Sequence, residues 1–105
     1  MRLLMAAMVA ASAQGVAAQD LPGDPAAGLD YARAICADCH DVEREWDPLA
    51  AFYGPPFVEI AAHMTEIGLK VFFRTPHQNM PNLILTDEER DNVIAYILSL
   101  KEATE

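Results

Sequence analysis

The chain has 105 residues, of which 16 are acidic and 7 basic, giving a formal net charge of −9. That balance makes nucleic acid and anionic membrane surfaces poor partners, since both would repel it. The length allows one small domain, of the size that often relies on a disulfide, a metal or another staple.

Met1-Arg2 followed by the apolar run Leu3 to Ala13, with small residues at Val16 and Ala18, has the layout of a Sec-type secretory signal peptide. Residues 1–18 are expected to be cleaved after Ala18, leaving residues 19–105 as the mature domain. The apolar run is about half of the roughly 20 residues that span a bilayer, so stable membrane insertion is not expected. With Arg2 removed, 6 basic residues face 16 acidic ones in a mature chain of 87 residues, a net charge of −10. The leader predicts an exported, periplasmic protein.

Asp20 to Pro25 contains two prolines and a glycine and should be irregular. A helix is expected from Pro25 to Ile35, with Asp24 as N-cap and Pro25 in the first helical position. Gly28, Tyr31, Ala32 and Ile35 fall at i, i+3, i+4 and i+7, a stripe that should face the core. A mid-helix glycine costs about 1 kcal/mol of propensity, and the usual reason to keep one is close approach of another helix.

Cys36-Ala37-Asp38-Cys39-His40 follows, and C-x-x-C-H is the attachment pattern of c-type haem. Two thiols one helical turn apart can add to the two vinyl groups on a porphyrin edge, and the next residue then carries an imidazole under the ring to bind iron. A thioredoxin-like pair, half a zinc site or a plain disulfide are the alternatives for C-x-x-C alone. The first needs a βαβ pattern, which is missing. The second needs further ligands, and His63 and His77 are the remaining candidates. In an oxidising compartment both thiols are expected to be occupied by thioether bonds rather than by a disulfide.

Asp41 to Pro56 reads as loop, punctuated by Pro48, Gly54, Pro55 and Pro56. Acids crowd it and the motif before it: Asp38, Asp41, Glu43, Glu45 and Asp47, opposed by Arg44. Phe57 to Met64 has helical spacing, and Thr65 can cap a further helix from Glu66 to Arg74. Thr75 to Thr86 is loop again. The last helix is announced by a capping box, Thr86 with Glu89, and by an apolar face of Val93, Tyr96, Ile97 and Leu100, with Lys101 closing it. With no alternating strand pattern and no repeat, the fold class is all-α with long loops.

A glycine-bearing helix into C-x-x-C-H, then Gly54-Pro55-Pro56-Phe57, then Met80-Pro81, then a terminal helix with Val93 to Ile97 resembles the class I cytochrome c family. The small exported bacterial monohaem members are the most similar in order and spacing. The resemblance implies N- and C-terminal helices that cross, with short helices and long loops around one covalent haem c. It implies that Cys36 and Cys39 hold the haem, that His40 is the proximal ligand and Met80 the distal one, and that the Pro55 carbonyl accepts a hydrogen bond from the proximal histidine. Many members carry an aromatic residue four positions before the first cysteine, where this chain has Ala32 with Tyr31 beside it. The mitochondrial members ring the haem edge with lysines, whereas Lys70 and Lys101 are the only lysines here.

Once the leader is gone, Met64 and Met80 are the methionines left to compete for the distal position. Met64 continues a helical stripe and reads as core filler, whereas Met80 lies in a proline-bounded loop between polar neighbours, where an iron would give it a purpose. His63 reads as a partly exposed helix residue and His77 as loop surface. Arg44, Arg74 and Asn79 are candidates for bonds to propionates or to the distal side. With both axial positions filled by protein, the chemistry left is outer-sphere transfer of one electron, and no enzyme activity is expected. The expected role is a monomeric electron carrier of a respiratory chain, with redox partners that present a basic docking surface. Haem-based sensing of a small ligand is the alternative from another class, and a subunit of a periplasmic dehydrogenase or respiratory complex is a further one.

Overall fold

The computed structural model describes residues 21–50, 52–74 and 84–101. Over these residues the chain forms four α-helices and one 3-10 turn, with no strand. The helices are α1 (Pro25–Ile35), α2 (Phe57–His63), α3 (Glu66–Phe72) and α4 (Asp87–Ser99), and the turn, Cys36–Asp38, continues directly from α1. The expected leader, residues 1–18, and the segment with His77, Asn79 and Met80 lie outside the described residues.

The start of α1 is fixed twice. The Asp24 carboxylate accepts the N–H of Ala26 at 3.0 Å, and Asp24's own N–H donates to the Asn92 side chain of α4 at 2.8 Å. The helix then crosses α4 at Gly28. A Cβ built there would lie 1.9 Å from the Asn92 carbonyl oxygen and 3.0 Å from the Tyr96 Cβ, so only glycine permits this approach. Ala32 is fully buried on the same stripe and Tyr31 partly so, but Ile35 is 40% exposed. The helix ends there, and Cys36 turns inward in its place.

Both bonds of the capping box at the start of α4 are made, Glu89 N–H to the Thr86 hydroxyl at 3.0 Å and Thr86 N–H to the Glu89 carboxylate at 2.9 Å. The predicted face of Val93, Tyr96, Ile97 and Leu100 is buried, and so are Ile94 and Ala95. α4 is covered on more than one side because α1 crosses one flank while α2 and α3 pack on others. Each of its large aliphatic side chains contributes about 1.5–3 kcal/mol by leaving water.

Thr65 caps α3 by accepting the Gly68 N–H at 3.0 Å, and the helix ends at Phe72, two residues short of the expected Arg74. Lys101 does more than complement its own helix. Its ammonium donates to the Ala61 carbonyl at 2.6 Å, satisfying an acceptor in the last turn of α2 from the far end of the chain.

Candidate functional site

The sequence Cys36 to His40 folds as one tight turn at the end of α1. Cys36 closes the helix with its N–H on the Ala32 carbonyl, and its own carbonyl receives the N–H groups of both Cys39 (3.1 Å) and His40 (3.0 Å). This convergence brings the two thiols to the same end of the helix and swings His40 inward. The cysteines are unbridged. Burial pushes the Cys36 thiol up to about 11, so at neutral pH it is a protonated, weakly nucleophilic thiol.

A second segment is laid against this turn by backbone bonds alone. Pro55 and Pro56 have no N–H, so Gly54 and Phe57 hold the only donors of the stretch. Gly54 N–H donates to the Cys39 carbonyl at 2.7 Å and Phe57 N–H to the Asp41 carbonyl at 2.9 Å, one on each side of His40. Between these two rungs, His40 Nδ1–H donates to the Pro55 carbonyl at 2.6 Å. A carbonyl only accepts, so the proton sits on Nδ1 and in the neutral ring the lone pair lies on Nε2, the nitrogen that then ligates a metal. Gly54 lies flat against the imidazole, where a Cβ would fall 2.4 Å from Cε1.

His40 opens onto a cavity of about 220 Å³. Cys36, His40 and Pro55 form one end of it, Phe57, Ile60 and Met64 a wall from α2 and its exit, and Leu69, Phe72 and Phe73 a wall from α3, with Ile97 of α4 behind. Apart from the thiol, the imidazole and the Pro55 carbonyl, its lining is hydrocarbon, ring carbon and one thioether. Such a lining suits a flat apolar group with a metal at its centre and one reactive edge position at Cys36, while Cys39 lies on the same turn without lining the cavity. Haem c fits it.

The tertiary support of His40 lay beyond sequence reasoning. The Phe57 ring stands 5.4 Å from the His40 ring at 56°, and Tyr96 stands 6.4 Å beyond Phe57. The Tyr96 hydroxyl donates to the carbonyl of Val42, two residues after His40. Burial raises the Tyr96 phenol above its ordinary value, which keeps it a donor. Both residues read as core stripe, and no local pattern marks them as props of the histidine. Arg33 grips Glu43 through two bonds of 2.8 Å and holds the same loop from α1.

The sequence-named residues divide accordingly. Cys36, Cys39, His40 and Pro55 come together in one turn and the segment facing it, and Met64 joins the cavity wall. Met80, His77 and Asn79 lie outside the described residues. His63 is exposed, with Nδ1–H on the Glu59 carbonyl at 3.0 Å. Arg44 is exposed and reaches the Ser99 carbonyl at 3.5 Å, and Arg74 is exposed.

Comparison with known proteins places the chain in a family. The family described as Cytochrome c matches residues 26–101. A cytochrome c-552 of Bradyrhizobium diazoefficiens is 32% identical over 83 residues, covering 77% of this chain and 79% of the relative. No solved structure gives a significant match.

Proposed function

The chain belongs to the cytochrome c family and its cofactor is a covalent haem c, and from that premise we propose that it is a periplasmic one-electron carrier with Cys36 and Cys39 as attachment points, His40 as proximal ligand and Met80 as distal ligand. The observation that carries the residue roles is His40 itself: buried at the mouth of an apolar cavity, with its tautomer set by Pro55 and its ring held flat by Gly54. Haem c supplies a one-electron Fe(II)/Fe(III) couple.

The chain's own residues serve that couple in three ways. Pro55 makes the imidazole a stronger donor by accepting its Nδ1 proton. Phe57, Leu69 and Ile97 keep water from the cavity and so disfavour additional charge within it. The tilted rings of Phe57 and, beyond it, Tyr96 prop His40 and hold the ring in one place, so little rearrangement opposes electron transfer. Soft methionine sulfur as second ligand favours Fe(II). Residues 1–18 act as the export leader, and the mature domain works as a monomer whose strongly acidic surface selects basic redox partners. Among the described residues no helix is long and apolar enough to cross a membrane.

An absorption spectrum of the matured protein in both redox states, with and without carbon monoxide, tests this reading. A c-type spectrum with a sulfur-to-iron band in the oxidised form and no response to carbon monoxide is expected. Prompt binding of carbon monoxide at neutral pH would instead make the protein a small-ligand binder.

A further inference from the structure

The Gly54–Pro56 segment has two faces. Pro55 lines the haem cavity, whereas Gly54 and Pro56 floor a second cavity of about 210 Å³ on the other side. Its aromatic walls are Trp46 and Phe52, and Asp41 and Asp47 stand at its edge. Asp41 accepts the N–H groups of Glu43 (3.2 Å) and Asp47 (3.1 Å), and Asp47 accepts that of Leu49 (2.9 Å). These bonds shape the loop and leave both charges in place. Among the described residues neither carboxylate is paired with a cation. Leu49 and Tyr53, 91% and 96% exposed, flank the same loop.

Aromatic faces beside uncompensated carboxylates attract a cation, and a planar guanidinium suits them better than an ammonium because it stacks on a ring while forking to an oxygen. We propose that this cavity is a docking socket for an arginine side chain of a basic redox partner, seated on the back of the Gly54–Pro56 segment that holds His40. The inference rests on the proposed reading that the partners are basic. It adds a particular place and a particular side chain, with Leu49 and Tyr53 as the apolar ground around it.

The test uses the ferrous holoprotein, ¹⁵N-labelled, titrated with acetyl-arginine methylamide and, separately, with the uncharged acetyl-citrulline methylamide. Saturable shifts of the Trp46 indole N–H and the Gly54 amide are expected with the first and none with the second. Asp47→Asn retains the oxygen that accepts Leu49 N–H and removes the charge. It and Trp46→Ala are each expected to weaken binding about tenfold. Glu45→Gln removes the same charge one residue from Trp46 and should leave binding unchanged. Should Trp46→Ala disturb the loop, Phe52→Leu at the opposite wall supplies the same reading. Linear shifts in the wild type, or equal weakening by Glu45→Gln and Asp47→Asn, would overturn the socket in favour of diffuse attraction. The basic-partner reading is tested apart from it, by the salt dependence of electron exchange with a basic redox protein: if that dependence persists without a socket, the partner reading stands alone.

Discussion

A carbonyl oxygen can only accept a hydrogen bond, and this decides which nitrogen of His40 carries the proton. The Pro55 carbonyl reaches Nδ1 because Gly54 and Phe57 spend their N–H groups on Cys39 and Asp41, leaving the segment one register in which to lie. Gly54 is needed for the space it does not fill. In Gly54→Ala the new methyl, 2.4 Å from Cε1, must turn the imidazole off the Pro55 carbonyl. The ligand becomes less basic, so the reduction potential is expected to rise and the yield of mature haem protein to fall. Potentiometry beside the wild type checks this, and an unchanged potential would show that the contact with Pro55 survives.

Among the elements, α1 and α4 cross so closely at Gly28 that a Cβ there would lie 1.9 Å from the Asn92 carbonyl oxygen. Gly28→Ala gains about 1 kcal/mol of helix propensity and meets the backbone of Asn92, which cannot rotate away as a side chain could. A net loss of about 3 kcal/mol or more is expected, read from the urea midpoint of the holoprotein. Thr86→Ala, by contrast, removes one capping bond at an exposed helix start and should cost about 1 kcal/mol.

The ties between α1 and the loop after the motif titrate. Bonds from Arg33, opposed by slight burial, hold the Glu43 carboxyl below its usual range. A depressed folded value means that this stabilisation is complete above the unfolded glutamate value, about 4.3, and is lost as pH falls through the lower folded one. The difference in thermal midpoint between wild type and Glu43→Gln should therefore be present at pH 7 and shrink as pH falls through the lowered Glu43 value.

Much of this layer was legible beforehand. Asp24, Pro25 and the box Thr86–Glu89 mark helix starts through chemistry within four residues, and the glycine at 28 announced a close neighbour. What could not be read depends on distant pairings: Tyr96 with Val42, Lys101 with Ala61, and Asp24 with Asn92, each more than 35 residues apart. Ile35 shows the limit of periodicity. Its spacing places it on the buried stripe, but the helix ends before that stripe can cover it. The C-x-x-C-H turn itself was legible because its chemistry is contiguous, whereas the cavity it faces is assembled from α2, α3 and α4.

The whole molecule is an acidic body with few counter-charges. Association with a basic redox protein should slow as ionic strength rises from about 0.01 to 0.15 M, because the screening length falls from about 30 to 8 Å. Stopped-flow electron exchange across that range checks it, and a flat rate would remove electrostatics from docking. In the proposed reading this small domain closes around a haem bonded to Cys36 and Cys39. An intact mass of the exported protein, measured after denaturation, tests it most directly. A chain beginning at Gln19 that retains the mass of one haem and has no thiol left to alkylate is expected. A chain of the bare polypeptide mass with two alkylatable cysteines would contradict it.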